Sequence, residues 1–205
     1  MDDTFVYLRK FDSDTTNKSI DPDNTFECKE TSNAFYVRCN NCTDSNVDYE
    51  KLGIMSYRAL LFDYIILDFR SNFGGSDAPL ITFFGVLASC KYEGTLIILQ
   101  DRWSFSAGEV YGTGNWLCSE SALGDQKVIL VGTNSGGAQL YGNCQLITKD
   151  NVKFWLPTTE MKHIKSIPNY EGDGKGYRPD IYATKENLKA AIENLGVDLT
   201  GIEFR

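Results

Sequence analysis

The chain has 205 residues, of which 42% are hydrophobic and 23% charged, and this composition excludes disordered, collagen-like and low-complexity proteins. Its 20 basic and 28 acidic side chains give a formal net charge of −8, which argues against binding to nucleic acid or to an anionic membrane surface. There is one histidine, His163, so a metal site built from several histidines is excluded. The length suits a single domain covering residues 1–205.

The first residues lack the basic n-region and the apolar h-region of a signal peptide. No apolar stretch is long enough to span a bilayer, so we expect no membrane insertion. Six cysteines and two N-x-S/T sequons, at Asn17 and Asn41, would suit an exported protein, but sequons are common by chance and the compartment stays open. Cys39 and Cys42 form the sole C-x-x-C pair, and without a second pair we expect no metal and no other cofactor.

The N-terminal part of the chain predicts two short strands and a helix. Thr4 to Leu8 and Ala34 to Arg38 have the alternating pattern of strands. The segment between them, Phe11 to Ser32, is polar and reads as a loop. From Val47 to Phe62 the apolar residues recur near helical spacing.

Three apolar runs predict the centre of the fold. Tyr64 to Phe69, Gly94 to Gln100 and Lys127 to Gly132 are apolar on both faces, as in the central strands of a covered sheet. Helices are expected between them, from Asp77 to about Cys90 and from Ser104 to about Leu117. Alternating strands and helices indicate an α/β domain with a mostly parallel central sheet flanked by helices.

The C-terminal part changes pattern. Gln139 to Thr148 and Val152 to Pro157 predict a hairpin, and Lys185 to Leu195 predicts a final amphipathic helix. We find no internal repeat and no linker, which agrees with one domain.

Candidate functional loops follow the three buried strands, at the sheet edge where α/β proteins bind ligands. Asp68 to Gly75 ends in paired glycines, whose N–H groups can face an oxyanion, although a simple tight turn has the same pattern. Arg102 to Glu109 holds serines at a strand-to-helix turn, where a serine is either a nucleophile or an N-cap. Gly132 to Ala138 is the third loop, and the carboxylates of Glu171 to Asp180 lack EF-hand spacing.

Taken in this order, these segments resemble the core domain of the tail-specific protease family, the C-terminal processing serine peptidases. The matching segments are YIILDFRSNFGG, RWSFSAGEV, ILVGTNSGG, FWLP and GKGYRPDI, with VYLRKF as the opening strand. The resemblance runs from Thr4 to Leu195, and it implies a crotonase/ClpP-like core.

The resemblance also implies roles for individual residues. Ser106 would be the nucleophile, and the backbone N–H groups of Ala107 and Gly75 would form the oxyanion hole. The loops that support them would use Asp68, Arg70, Asn72, Gly74 and Glu109.

One departure from the family pattern decides the branch. The processing proteases place a lysine base in the third loop, where this chain has Ala138. GTNSGG is more similar to the tricorn-like branch, in which a histidine N-terminal to the core pairs with the serine and a carboxylate assists. Asp173 and Glu171 are both candidates for that carboxylate. His163 lies where the family has no catalytic role, so we expect an N-terminal region or a partner subunit to supply the histidine.

The implied function is a serine-type endopeptidase that acts on a polypeptide substrate and is incomplete without that histidine. The alternative is a catalytically silent module that binds a peptide or an apolar ligand on the same fold, because fold alone does not fix activity. An acyl-CoA enzyme would need phosphate contacts, which the acidic balance disfavours.

Overall fold

The computed structural model describes residues 26–42, 47–109, 127–138, 141–142, 145–150, 152–156, 158–160, 167 and 169–204. Three sequence features lie outside these residues: the strand predicted at 4–8, the sequon at Asn17 and His163. The helix predicted from Ser104 is described as far as Glu109, and in that part a short 3₁₀ helix spans Ser106–Gly108.

Ten strands and three α-helices make up the described chain. The strands are β1 (Phe26–Glu30), β2 (Ala34–Cys39), β3 (Tyr64–Asp68), β4 (Thr95–Gln100), β5 (Lys127–Gly132), β6 (Tyr141–Gly142), β7 (Gln145–Lys149), β8 (Val152–Leu156), β9 (Thr159–Glu160) and β10 (Ile181–Tyr182). The helices are α1 (Tyr49–Ala59), α2 (Ala78–Ser89) and α3 (Leu188–Glu193).

Six strands form one central sheet in the order β1-β2-β3-β4-β5-β10. Strands β2 to β5 and β10 are parallel, and β1 pairs with β2 in the antiparallel direction. The prediction of an α/β chain with a mostly parallel sheet is therefore confirmed. β3 and β4 are buried almost throughout, as expected for runs that are apolar on both faces.

Strand β1 corrects the sequence prediction, because it lies inside the segment Phe11 to Ser32 that we expected to be a loop. Among the described strands it pairs with β2 alone, and Cys28, Lys29 and Glu30 are exposed. An edge strand needs no apolar face and often carries charges, so its residues gave no strand pattern.

The two faces of the sheet have separate hydrophobic cores. One core packs α1 and α2 against the sheet, and it includes Leu52, Leu67 and Phe84. The other is covered by α3 and by residues 195–204. That C-terminal segment is tied to the start of β2, since Asn33 donates to the Gly196 carbonyl at 2.9 Å.

The predicted hairpin is present as β7 and β8, which pair through Lys149↔Val152 at the turn. A second small sheet pairs β6 with β9. α2 begins after Asp77 as predicted, and α3 is shorter than the predicted final helix. Among the described helices, none has the length and apolar character needed to cross a membrane.

Candidate active site

Three loops meet at the carboxyl ends of the parallel strands. We call residues 69–76, after β3, the first loop; residues 101–109, after β4, the second loop; and residues 133–138, after β5, the third loop. The Phe105 N–H donates to the Asn72 carbonyl at 2.8 Å, and the Gly136 N–H donates to the Ser104 carbonyl at 2.8 Å. These bonds join the first loop to the second and the second to the third, as the sequence predicted from their places after parallel strands.

Asp68 anchors the start of the first loop. Its buried carboxylate accepts hydrogen bonds from Arg70 Nη2 at 2.6 Å, from Tyr36 at 2.7 Å and from Arg38 Nη1 at 3.1 Å. Burial alone would raise the pKa of Asp68, but the Arg70 hydrogen bond and the two guanidinium charges outweigh it and hold the pKa below its usual value. The Arg70 guanidinium lies 5.3 Å from the centre of the Phe204 ring. Asp68 and Arg70 thus fix where the loop leaves the sheet.

Asn72 positions the turn of the first loop. Its side chain is fully buried, and its Oδ1 accepts the Gly74 N–H at 2.8 Å. Its Nδ2 donates to the Cys39 carbonyl at 2.9 Å. Because both ends of the amide are used, the side chain holds Gly74 at a fixed distance from β2.

The paired glycines lie against the serine. Gly74 and Gly75 have φ values of +91° and +140°, which favour glycine. A Cβ on Gly74 would lie 2.6 Å from the Phe105 carbonyl oxygen and 2.8 Å from the Ser106 Cβ. A Cβ on Gly75 would lie 2.2 Å from the Cys42 carbonyl oxygen. No other residue fits this close approach without a shift of the backbone.

Ser106 has a left-handed backbone conformation, with φ of +53°, and its side chain is exposed. A non-glycine residue in this region is strained, and such strain is common at functional turns. In the described part of the chain, no hydrogen bond involves the Ser106 Oγ, and none is donated by the N–H of Ala107 or Gly75. The Gly75 N–H points away from Cys42, because in their parallel bridge Gly74 and Ser76 make the bonds. The exposed Ser106 hydroxyl and the N–H groups of Ala107 and Gly75 therefore lie beside the close contact between Gly74 and Ser106.

Glu109 ties the second loop to the third. Its buried carboxylate accepts from the Ser135 hydroxyl at 2.6 Å and from the N–H groups of Gly137 and Ala138 at 2.9 and 2.7 Å. It also accepts the Ser106 N–H at 3.2 Å. Burial raises the pKa of Glu109, although these hydrogen bonds lower it in part. The carboxylate thus sets the position of Ser106 relative to the third loop.

Sequence reasoning missed two residues of this arrangement. Ser135 is buried, and its hydroxyl accepts the Tyr177 N–H at 2.8 Å while it donates to Glu109. Cys42 forms the backbone bridge to Gly75. The motif GTNSGG and the C-x-x-C pair pointed to both positions, but their partners are distant along the chain.

In the described part of the chain, neither of the two candidate carboxylates, Glu171 and Asp173, is hydrogen-bonded to Ser106. Glu171 is exposed and accepts from Asn134 Nδ2 at 3.1 Å, which attaches it to the third loop. Asp173 is exposed and accepts the Tyr170 hydroxyl.

Aromatic side chains border the serine. The rings of Phe73 and Phe105 are stacked at 6.1 Å, and Phe73 lies 6.5 Å from Trp103. Phe73 and Trp103 are 57% and 40% exposed, so the first and second loops present an apolar surface next to Ser106.

Among the described residues, no group of three or more His, Cys, Asp or Glu side chains is placed to hold a metal ion.

No protein-family model and no curated protein sequence matches the chain. The solved structures that are similar to it include the following three. A candidate peptidase from Parabacteroides merdae gives a TM-score of 0.56 at 17% identity, with 87% of this chain and 67% of that chain covered. A candidate S41 protease from Bacteroides fragilis gives 0.53 at 17% identity, with 81% and 52% covered. Mature CPAF in complex with lactacystin gives 0.50 at 12% identity, with 83% and 52% covered.

The chain spans about two thirds of the first of these structures and about half of the other two. At identities this low the likeness shows the fold and nothing further. The resemblance to the tail-specific proteases is confirmed at that level: the chain has the fold of S41 peptidases.

Proposed function

We propose that this chain is a serine-type peptidase core of the tail-specific protease family, tricorn-like branch, with a crotonase/ClpP-like arrangement. One observation carries the proposal. An exposed serine, Ser106, is held at positive φ against Gly74, and the N–H groups of Gly75 and Ala107 have no partner among the described residues. This combination is the geometry expected of a nucleophilic serine beside an oxyanion hole.

In the proposed mechanism, the Ser106 Oγ attacks the carbonyl carbon of a peptide bond. The N–H groups of Gly75 and Ala107 donate to the oxyanion, and removal of one such donor typically costs about 2.7–4 kcal/mol. The Ser106 proton passes to a base and then to the leaving amine, and water cleaves the resulting acyl-enzyme. Asn72 and Glu109 act as positioning residues, because each fixes a backbone segment that carries a donor.

The base is proposed to come from outside the described residues. A serine hydroxyl is a weak nucleophile without a base, and the described chain places none on the Ser106 Oγ. We assign the role to a histidine from an N-terminal region or a partner subunit, oriented by Glu171 or Asp173. The substrate is a polypeptide, and no cofactor takes part.

Labelling with a fluorophosphonate probe tests the proposal. We expect weak or no labelling of the 205-residue chain, and strong labelling and peptide hydrolysis when an N-terminal histidine region is supplied. Ser106→Ala abolishes both, whereas Ser89→Ala, at an exposed serine that ends α2, changes neither. Strong labelling of this chain alone would refute the missing base, and no hydrolysis by the longer form would refute the peptidase.

The same experiment separates the alternative function. A binding module would hold a peptide or an apolar ligand equally well with and without Ser106→Ala, and would show no labelling in either form. The exposed rings of Phe73 and Trp103 give such a module a surface to use.

A further inference from the structure

The C-x-x-C pair lies directly behind the proposed oxyanion hole. Cys39 and Cys42 are 1% and 0% exposed, and both are free thiols. Asn72 Nδ2 is 3.3 Å from the Cys39 Sγ and 3.5 Å from the Cys42 Sγ. One amide nitrogen therefore contacts both sulfur atoms, which places the two thiols side by side.

The same pair is connected to the glycines by two routes. Along the backbone, the Cys42 N–H donates to the Gly74 carbonyl at 3.1 Å, and the Cys42 carbonyl accepts the Ser76 N–H at 2.6 Å. Through the side chain, Asn72 touches both sulfurs with its Nδ2 and holds the Gly74 N–H with its Oδ1. A change in the positions of the sulfur atoms therefore acts on the first loop both through the Cys42 backbone and through the Asn72 side chain.

We propose that Cys39 and Cys42 are a reversible disulfide site, and that its oxidation moves the Gly74–Gly75 backbone. The oxidant is a low-molecular-weight disulfide. One thiolate attacks it and releases a thiol, and the second thiolate then attacks the mixed disulfide and releases the other thiol. The chain loses two electrons and two protons, and the oxidant gains them.

The geometry gives the reason for the movement. An S–S bond is about 2.05 Å long and needs a defined dihedral angle, so the sulfurs must leave their present places around Asn72. Asn72 Nδ2 then loses one or both sulfur contacts, and the Cys42 backbone shifts with its side chain. Since Gly75 has backbone contact with Cys42, its N–H changes direction.

Burial also sets the rate of the exchange. Burial, followed by the neighbouring Cys42 thiol, raises the pKa of the Cys39 thiol. The attacking species is the thiolate, so the exchange is slow at neutral pH and becomes faster as the pH rises.

Peptide mapping decides whether the bond forms. The folded chain is incubated with oxidised glutathione or with reduced dithiothreitol, quenched in acid, alkylated and digested with trypsin. Cleavage after Arg38 and Lys51 leaves both cysteines in one peptide, which escapes alkylation and is two hydrogen atoms lighter when the disulfide is present. The proposal is overturned if both cysteines are alkylated after oxidation, or if they carry glutathione or pair elsewhere.

Hydrogen exchange decides whether the first loop responds, and it does not depend on the proposed peptidase function. We expect the Ser76 amide, which donates to Cys42, to exchange at least tenfold faster in the oxidised chain. Cys42→Ser abolishes this response, and Cys90→Ser, at an exposed cysteine, keeps it. Unchanged exchange in a chain shown to carry the disulfide would overturn the coupling.

The consequence for catalysis rests on the proposed function. In the longer, histidine-containing form, oxidation should lower fluorophosphonate labelling of Ser106 by about 100-fold, the effect of losing one oxyanion donor, and reduction should restore it. Unchanged labelling in a chain that carries the disulfide would refute the effect on the oxyanion hole. If Ser106 is unreactive in both forms, the peptidase proposal fails, while the mapping and exchange results still decide the disulfide.

Discussion

Replacement of Glu109 by glutamine tests the link between the second and third loops. The carboxylate accepts four hydrogen bonds, two on each oxygen, from Ser135, Gly137, Ala138 and Ser106. A glutamine can accept at its oxygen alone, so its NH₂ group must face two donors. The NH₂ group is best accommodated in place of Oε2, where it faces the N–H groups of Ala138 and Ser106, and these two donors are only partly buried.

The expected loss in the free energy of unfolding follows from the number of donors left without an acceptor. A buried donor without an acceptor costs about 1–3 kcal/mol, and because water reaches these two in part, the lower half of that range applies, which gives about 2–4 kcal/mol for the pair. The neutral amide recovers a part, because burial of the charge is unfavourable and raises the pKa of Glu109. We expect Glu109→Gln to lower the free energy of unfolding by about 2 kcal/mol.

Urea unfolding followed by circular dichroism measures this value. The matched control is Glu193→Gln, an exposed glutamate at the end of α3, which should change the free energy of unfolding by less than about 0.5 kcal/mol. A loss below about 1 kcal/mol for Glu109→Gln, with an unchanged urea dependence, would refute the reasoning that these bonds hold the two loops together.

Three further predictions concern the first loop, the second loop and Asp68 at the end of β3. Gly75→Ala should lower the free energy of unfolding in urea by about 3 kcal/mol, because the added Cβ would lie 2.2 Å from the Cys42 carbonyl oxygen and the φ is +140°. The control is Gly53→Ala inside α1, where a Cβ meets nothing within 4 Å, and it should raise the free energy of unfolding by about 0.5–1 kcal/mol. Ser106→Gly should be more stable than Ser106→Ala by about 0.5–1 kcal/mol, because of the φ of +53°; the reverse order would show that the serine is not strained. Asp68→Asn should cost about 3–5 kcal/mol at pH 7, because it leaves the buried guanidinium of Arg70 without its charge partner. The folded-state pKa of Asp68 is lowered, so its contribution to the free energy of unfolding is full above about pH 4 and is lost as the pH falls below that. A difference in the free energy of unfolding between Asp68→Asn and the unsubstituted chain that stays constant from pH 7 to pH 3 would contradict this.

The central strands could be predicted from sequence because burial on both faces leaves one interpretation. β5 was predicted at Lys127 to Gly132 and lies there, and β3 and β4 differ from prediction by one residue at one end. β1 could not be predicted, because an edge strand is stabilised by its pairing with β2 and not by its own apolar pattern.

The candidate site could be predicted as far as its loops, since parallel strands bring their carboxyl ends to one edge. The pairing of Glu109 with the third loop could not, because it joins residues 26 to 29 positions apart and depends on the order of the strands. The tail shows the same limit. The family spacing points to Asp173 and the residue type to Glu171, and neither shows that Glu171 accepts a hydrogen bond from Asn134, 37 positions away, while Asp173 accepts one from its near neighbour Tyr170.

The segment that covers the second face of the sheet has a consequence for folding. Residues 195–204 complete the core over Tyr36, Ile66 and Ile97, and the contact between Asn33 and Gly196 spans 163 positions. Closing a loop of that length costs roughly 4–5 kcal/mol of chain entropy. During synthesis the strands are made before this segment, so this apolar face of the sheet lacks the cover of residues 195–204 until residues beyond 200 leave the ribosome. That interval is when we expect the nascent chain to depend most on chaperones.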